Sequence, residues 1–170
     1  LGNFITVREL LEEGYDPASI RHQLISSHYR GELNFTRDGL KASAAAVQRI
    51  LDFEARLDAA VVDDAAEASK LPELAESARG SFQSAMDNDF NSADAMAAIF
   101  VLVGGVNAEL DSRGVVSSSD RDAVVVVLRS MDEVLGLLEV AHASRSVDDD
   151  MAAYVEQKIQ ERAYARANKD

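Results

Sequence analysis

Along most of this chain apolar residues recur every three or four positions, the period of a helix with one face turned inward. The spacing predicts a short helix within residues 4–14, with Thr6 as N-cap, Glu9 as its capping-box partner and Gly14 as the stop. Asp16-Pro17 predicts a second helix start, because the carboxylate caps and a proline in the first turn loses no hydrogen bond. That helix is read to about Arg30, with Gly31 ending it. A long helix is expected from Asn34-Phe35-Thr36 to about Val61, carrying Leu40, Ala44, Val47, Ile50 and Leu51 on one side. Residues 62–71 are small and acidic and read as a loop. Pro72 opens a helix to about Met86, Asp87-Asn88-Asp89 breaks it, and Asn91-Ser92 caps the next, whose apolar set is Met96, Ile99, Phe100, Val103, Val106 and Leu110. Ser117–Ser119 caps another, with Val124, Leu128, Met131 and Leu135 facing the core. Residues 141–147 read as a linker, and Asp148–Asp150 as the acidic start of a last helix. The β-branched run Val124–Val127 would suit a strand, but its flanks keep helical spacing, and single-residue propensity is the weaker signal. Neither an alternating strand pattern nor an internal repeat is present. The expected fold class is all-α, a bundle of about six or seven helices.

With 170 residues, 47% of them hydrophobic, the chain can bury a core as one domain or as a small domain with a neighbour. The longest apolar patches, such as Val124–Leu128, are short and followed by charge, well below the roughly 20 residues of a membrane helix. The start carries no signal-peptide pattern and is not Met; Leu1 opens straight into Gly2-Asn3-Phe4, as expected of a segment of a longer protein. Zero cysteines exclude disulfides and thiolate metal sites, and His22, His28 and His142 are too scattered for a good zinc site. A cytoplasmic setting fits this best. The net charge of −13 weighs against a nucleic-acid binder. It is unevenly spread: residues 1–56 hold seven Lys/Arg against eight Asp/Glu, and residues 57–170 hold ten against 22. Lysine is scarce, so a salt-adapted surface and an ordinary acidic domain both remain open.

Against this acidic background a few cationic groups stand out. Arg21 and His28 interrupt the apolar arc of the second helix. They read as partly buried groups satisfied by carbonyls or carboxylates, or as contacts to another domain or to nucleic acid. Arg30, Arg37 and Lys41 gather around the loop between the second and third helices, where phosphate contacts and plain solvated charge are both open. Lys158, Arg162, Arg166 and Lys169 sit at i, i+4, i+8 and i+11, a basic stripe able to track a phosphate backbone. Pairing with neighbours such as Glu161 is the alternative. Asp87, Asp89 and Asp94, and likewise Asp148–Asp150, lack the glycine and closing glutamate of a calcium loop and read as helix caps. No Ser/His/Asp arrangement is recognisable, so no catalytic residue is assigned and no metal site is expected.

Three segments together carry a family resemblance. The first 43 residues, from Leu1-Gly2-Asn3-Phe4 through His28-Tyr29-Arg30 and Leu33-Asn34-Phe35, resemble cysteinyl-tRNA synthetase almost throughout. Met86-Asp87-Asn88-Asp89-Phe90-Asn91-Ser92 resembles that family's Met-Asp-Asp-Asp-Phe-Asn-Thr stretch, with Asn88 for Asp and Ser92 for Thr, and Ala93 stands where proline is usual. Arg162, Ala165-Arg166 and Lys169-Asp170 resemble its closing Arg-x-x-Ala-Arg-x-x-Lys-Asp pattern. The resemblance implies a piece lying after the KMSKS loop: residues 1–61 as a stem-contact region and 62–170 as a DALR-type bundle. It implies a job of positioning tRNA(Cys) for a catalytic domain on the same chain, with Gly2, Asn3, Arg21 and His28 in interdomain or structural roles. The candidate tRNA-binding residues are Arg30, Arg37, Lys41, Lys158, Arg162, Arg166 and Lys169. The whole enzyme would use ATP, Mg and a catalytic-domain Zn, none held by this piece, which is not expected to be catalytic alone. A ligase joining cysteine to a glucosaminyl-inositol, of similar architecture, and a non-enzymatic acidic bundle that binds a protein are the alternatives. Apolar surface bared by missing neighbours could drive a dimer in a crystal. No membrane partner is expected.

Overall fold

The computed structural model describes residues 5–167, and the side chains of all of these except 146–150, 152, 153 and 162–167. Seven helices follow one another among them: α1 (Val7–Glu12), α2 (Pro17–Ile25), α3 (Arg37–Asp58), α4 (Leu71–Asp87), α5 (Ser92–Arg113), α6 (Ser118–Leu135) and α7 (Leu137–Ala167). The architecture is all-α, and no strand forms among the described residues beyond a single parallel bridge between Val62 and Val116.

Most helix starts are set by the side chains predicted for them. Thr6 and Glu9 form a reciprocal capping box on α1, and Asp16 accepts from the Ser19 N–H above Pro17 on α2. Thr36 caps α3 through the Gly39 N–H, Asn91 caps α5 and Ser117 caps α6. Two boundaries differ from the expectation. α2 stops at Ile25 rather than near Arg30. The Ser26 hydroxyl donates to the Gln23 carbonyl, and the Gly31 N–H closes a turn on the His28 carbonyl. The linker expected at 141–147 is instead part of α7, which starts immediately after Gly136. Leu137, Leu138 and Ala141 are buried there, so core packing holds helical a segment whose side chains alone suggest a loop.

The main core draws on α3 through α7 and on Ala18 of α2. Phe53, Leu57, Leu71, Leu102, Val106, Val124, Met131 and Leu137 are almost wholly enclosed, each such side chain contributing roughly 1.5–3 kcal/mol of apolar burial. A smaller cluster of Leu10, Ile20 and Leu40, backed by Tyr15 and Phe35, fastens α1 to α2 and α3. By length and composition α5 is apolar enough to cross a membrane, contrary to the expectation that no run approaches that size. It lies against α4, with Met96, Ile99, Leu102, Val103 and Val106 buried in the bundle.

The acidic loop before α4 is stitched to the α5–α6 turn. Val116 N–H donates to Val61 O at 3.2 Å and Asp63 N–H to Val116 O at 3.0 Å. Asp64 accepts from the Ser118 N–H and hydroxyl, and Asp120 from those of Ser69. These bonds hold both carboxylates below their ordinary pKa values.

Candidate nucleic-acid interface

The early stop of α2 turns His28, Tyr29 and Arg30 out of helical register and brings them onto the loop between α4 and α5. Tyr29 Oη donates to Asp89 Oδ1 at 2.8 Å. Arg30 Nε lies 3.0 Å from Asp89 Oδ2 and donates to Tyr29 Oη at 2.8 Å, while Arg30 Nη2 donates to Asp89 Oδ1 at 3.3 Å. His28 Nε2 is 3.9 Å from Asp89 Oδ2. The three side chains also stack: the His28 and Tyr29 rings lie 4.9 Å apart and nearly parallel, and the Arg30 guanidinium sits 5.4 Å from the Tyr29 ring centre. The bond to Asp89 raises the Tyr29 phenol above its ordinary pKa, with the Arg30 bond opposing it.

The receiving loop is unusual in its backbone. Asp89 and Phe90 have φ of 57° and 54°, left-handed values that cost a non-glycine residue of order 1 kcal/mol each. Phe90 is 67% exposed beside the cluster. Ser92 Oγ donates to the Ser27 carbonyl at 3.3 Å, a second tie between the two segments.

The other sequence candidates are placed separately, each with its own partner. Arg37 grips Glu13 with two nitrogens, Nη2 to Oε1 at 2.8 Å and Nε to Oε2 at 3.1 Å, joining the start of α3 to the end of α1. Lys41 reaches Asp38 at 3.1 Å on its own helix. Lys158 reaches Glu161 at 2.7 Å and lies 5.5 Å from the Tyr154 ring centre. Arg30 lies in the loop between α2 and α3, and Arg37 and Lys41 lie in the first turns of α3, each paired with a different carboxylate. All these pairs are on the surface, where screening by water leaves an ion pair little to contribute to stability. Arg162 and Arg166 lie on the backbone of α7 with side chains outside the described set; Gly2, Asn3 and Lys169 lie outside the described residues.

Arg21 does not interrupt an apolar arc, contrary to what its spacing suggests. The buried face of α2 consists of Ala18, Ser19, Ile20, His22 and Gln23, and Leu24 is exposed. The Arg21 Nε donates to the Leu135 carbonyl, and its guanidinium covers Gly136, the left-handed residue joining α6 to α7. A carbonyl thus satisfies it, as one structural reading of Arg21 requires. His28 lies beyond α2 altogether, in the cluster on Asp89.

Sequence spacing missed Asp89 as the partner of Tyr29 and Arg30, because the residues are 60 positions apart. The local sign is an aromatic residue, Phe90, set in a run of turn formers where periodicity asks for none.

Comparison with known proteins places these segments in a wider family. Residues 81–139, from the end of α4 through the Asp89 loop, α5 and α6, match the family described as DALR domain. Cysteine–tRNA ligase of Chlamydia caviae is 32% identical over 170 residues, covering 100% of this chain and 34% of that protein. Along its whole length the chain is similar to cysteine–tRNA ligases. Cysteine–tRNA ligase of Koribacter versatilis is 40% identical over 138 residues, 81% of this chain and 28% of that protein. The enzyme of Solibacter usitatus is 34% identical over 170 residues, 100% of this chain and 35% of its own length. The chain thus spans about a third of the length of the family members it matches. Two of the three segments that carry the resemblance, 28–30 and 86–92, are the ones joined through Asp89.

Proposed function

We propose that this chain is the tRNA-positioning helical part of a cysteine–tRNA ligase, an enzyme that attaches cysteine to tRNA(Cys) with ATP. The observation that carries the reading is similarity along the whole chain to cysteine–tRNA ligases that are about three times as long. The all-helical bundle supports it: such a body is a stiff spacer, fit to hold a stem of RNA at a fixed distance from a reaction elsewhere. On this reading residues 1–61 meet the RNA stem and the catalytic domain, and residues 62–170 form the bundle. On this reading the RNA contacts come from Arg30, Arg37 and Lys41 and from Lys158, Arg162, Arg166 and Lys169. The setting is the cytoplasm.

ATP, Mg and Zn belong to the rest of such an enzyme. The chain has no cysteine, and among the described residues no group of three His, Asp or Glu is placed to hold a metal. The work left to this chain is binding and orientation, which set the rate by holding reacting groups in register.

The test is binding of a tRNA(Cys) transcript to the chain, measured against salt concentration. Affinity should fall as salt rises, because each phosphate contact releases counterions. Changing Lys158, Arg162 and Arg166 together to glutamate should weaken binding at least about tenfold and flatten the salt slope by about 0.7–0.9 for each phosphate no longer neutralised. A chain that ignores tRNA at low salt would rule the reading out.

A further inference from the structure

The donors gathered on Asp89 are those that would bind a phosphate. Arg30 offers two nitrogens, Tyr29 a phenolic hydroxyl and His28 a ring nitrogen, all from one short turn and all aimed at one carboxylate from another. A guanidinium fork takes carboxylate and phosphate oxygens with the same geometry. We propose that the Asp89 carboxylate occupies the place of an RNA phosphate in the unbound chain, and that tRNA binding exchanges it for that phosphate. The inference rests on the tRNA reading above and adds a regulatory element to it.

Three observations bear on the exchange. The pair is exposed, with 69% of the Arg30 side chain and 43% of the Asp89 side chain open to solvent, so a phosphate can approach without unfolding anything. Exposed pairs of this kind are weakly held. The Asp89 backbone keeps its left-handed angle through bonds of the loop itself, Phe90 N–H to Met86 O and Asn91 N–H to Ala85 O, each at 3.0 Å, so the turn holds its path independently of what the carboxylate binds. Finally, Phe90, the residue after Asp89, is exposed.

The device keeps the cationic turn from binding anions indiscriminately, since any ligand must outcompete an attached carboxylate. It predicts that removing the carboxylate strengthens binding, the reverse of what losing a structural ion pair would do. The experiment measures dissociation constants of a tRNA(Cys) transcript for the wild-type chain, Asp89→Asn and Asp89→Gly. Both replacements tolerate positive φ, so the loop can keep its path. Each should bind about threefold tighter than wild type, the size of one surface ion pair. Asp87→Asn makes the same change of charge two residues away and should leave affinity unmoved. In an Arg30→Gln background, Asp89→Asn should lose its effect.

Unchanged or weaker binding by both Asp89 variants overturns the inference. So does an equal gain from Asp87→Asn, or a gain that persists in the Arg30→Gln background, since either would mean net charge alone. If wild type binds and the Lys158/Arg162/Arg166 triple variant does not, while Asp89 changes have no effect, the inference fails and the tRNA reading stands. If no variant binds tRNA, both fall.

Discussion

His22 is the residue at which pH should act on the fold. Only 8% of it is exposed; its Nδ1 is 3.0 Å from the Ser43 hydroxyl, and its ring stands edge-on to Phe100 with centres 6.5 Å apart. Burial lowers its pKa below the ordinary 6.5, because the charged form loses its hydration. The unfolded chain then takes up this proton at higher pH than the folded one. Stability is unaffected above about pH 7, begins to fall as pH drops through 6.5, and levels off below the folded pKa. Urea melts of wild type and His22→Gln at pH 7.5 and 5.5 should show a steeper loss in wild type. Parallel losses would mean that His22 is not the titrating group. The neighbourhood is tight: a Cβ on Gly39 would meet the end of the Gln23 side chain, whose amide would have to shift.

Between one helix and the next, the joint of α6 and α7 shows how elements are linked. Gly136 turns the chain at φ 62°, and the Asp132 carboxylate, one turn back on α6, accepts from the N–H groups of Leu137, Leu138 and Glu139 at 2.7, 2.8 and 3.0 Å. A single side chain thus satisfies three of the orphan donors at the start of α7. Asp132→Ala should cost about 1–2 kcal/mol, the upper part of the range for a lost cap, seen as a lower urea midpoint with an unchanged slope. The caps written as Thr6, Asp16-Pro17, Asn91 and Ser117 were legible in the sequence because each acts on a donor three residues away. Asp132 was not, since its spacing to α7 makes sense only once Gly136 has turned the chain. The same blindness merged residues 26–30 into α2 and cut α7 at a linker.

For the molecule as a whole, the open question is what covers its apolar surface. Met151, Tyr154, Val155 and Ile159 lie on one face of α7, each about half exposed. A groove of about 320 Å³ beside α1 is lined by Ile5, Val7, Leu24 and Phe35. Apolar surface of this kind favours association. The isolated chain should therefore show concentration-dependent self-association in sedimentation, and Ile159→Glu should shift it toward monomer without lowering helix content. A chain that stays monomeric at high concentration would show that the α7 face tolerates water.

By itself the sequence determined the helical class, most helix starts, the inward faces of α5 and α6, most of that of α3 (Ser43 is buried where spacing predicts Ala44) and the family resemblance, because periodicity, capping and motif are relations within a few residues or within one segment. Tertiary structure decided which distant groups meet. Tyr29 and Arg30 find Asp89 60 and 59 positions away, Arg21 reaches Leu135 across 114, and the acidic loop after Val61 closes onto Val116 and Ser118. No local preference encodes those pairings. They follow from the burial of one shared core, which fixes the helices first and leaves the surface charges to find the partners it brings within reach.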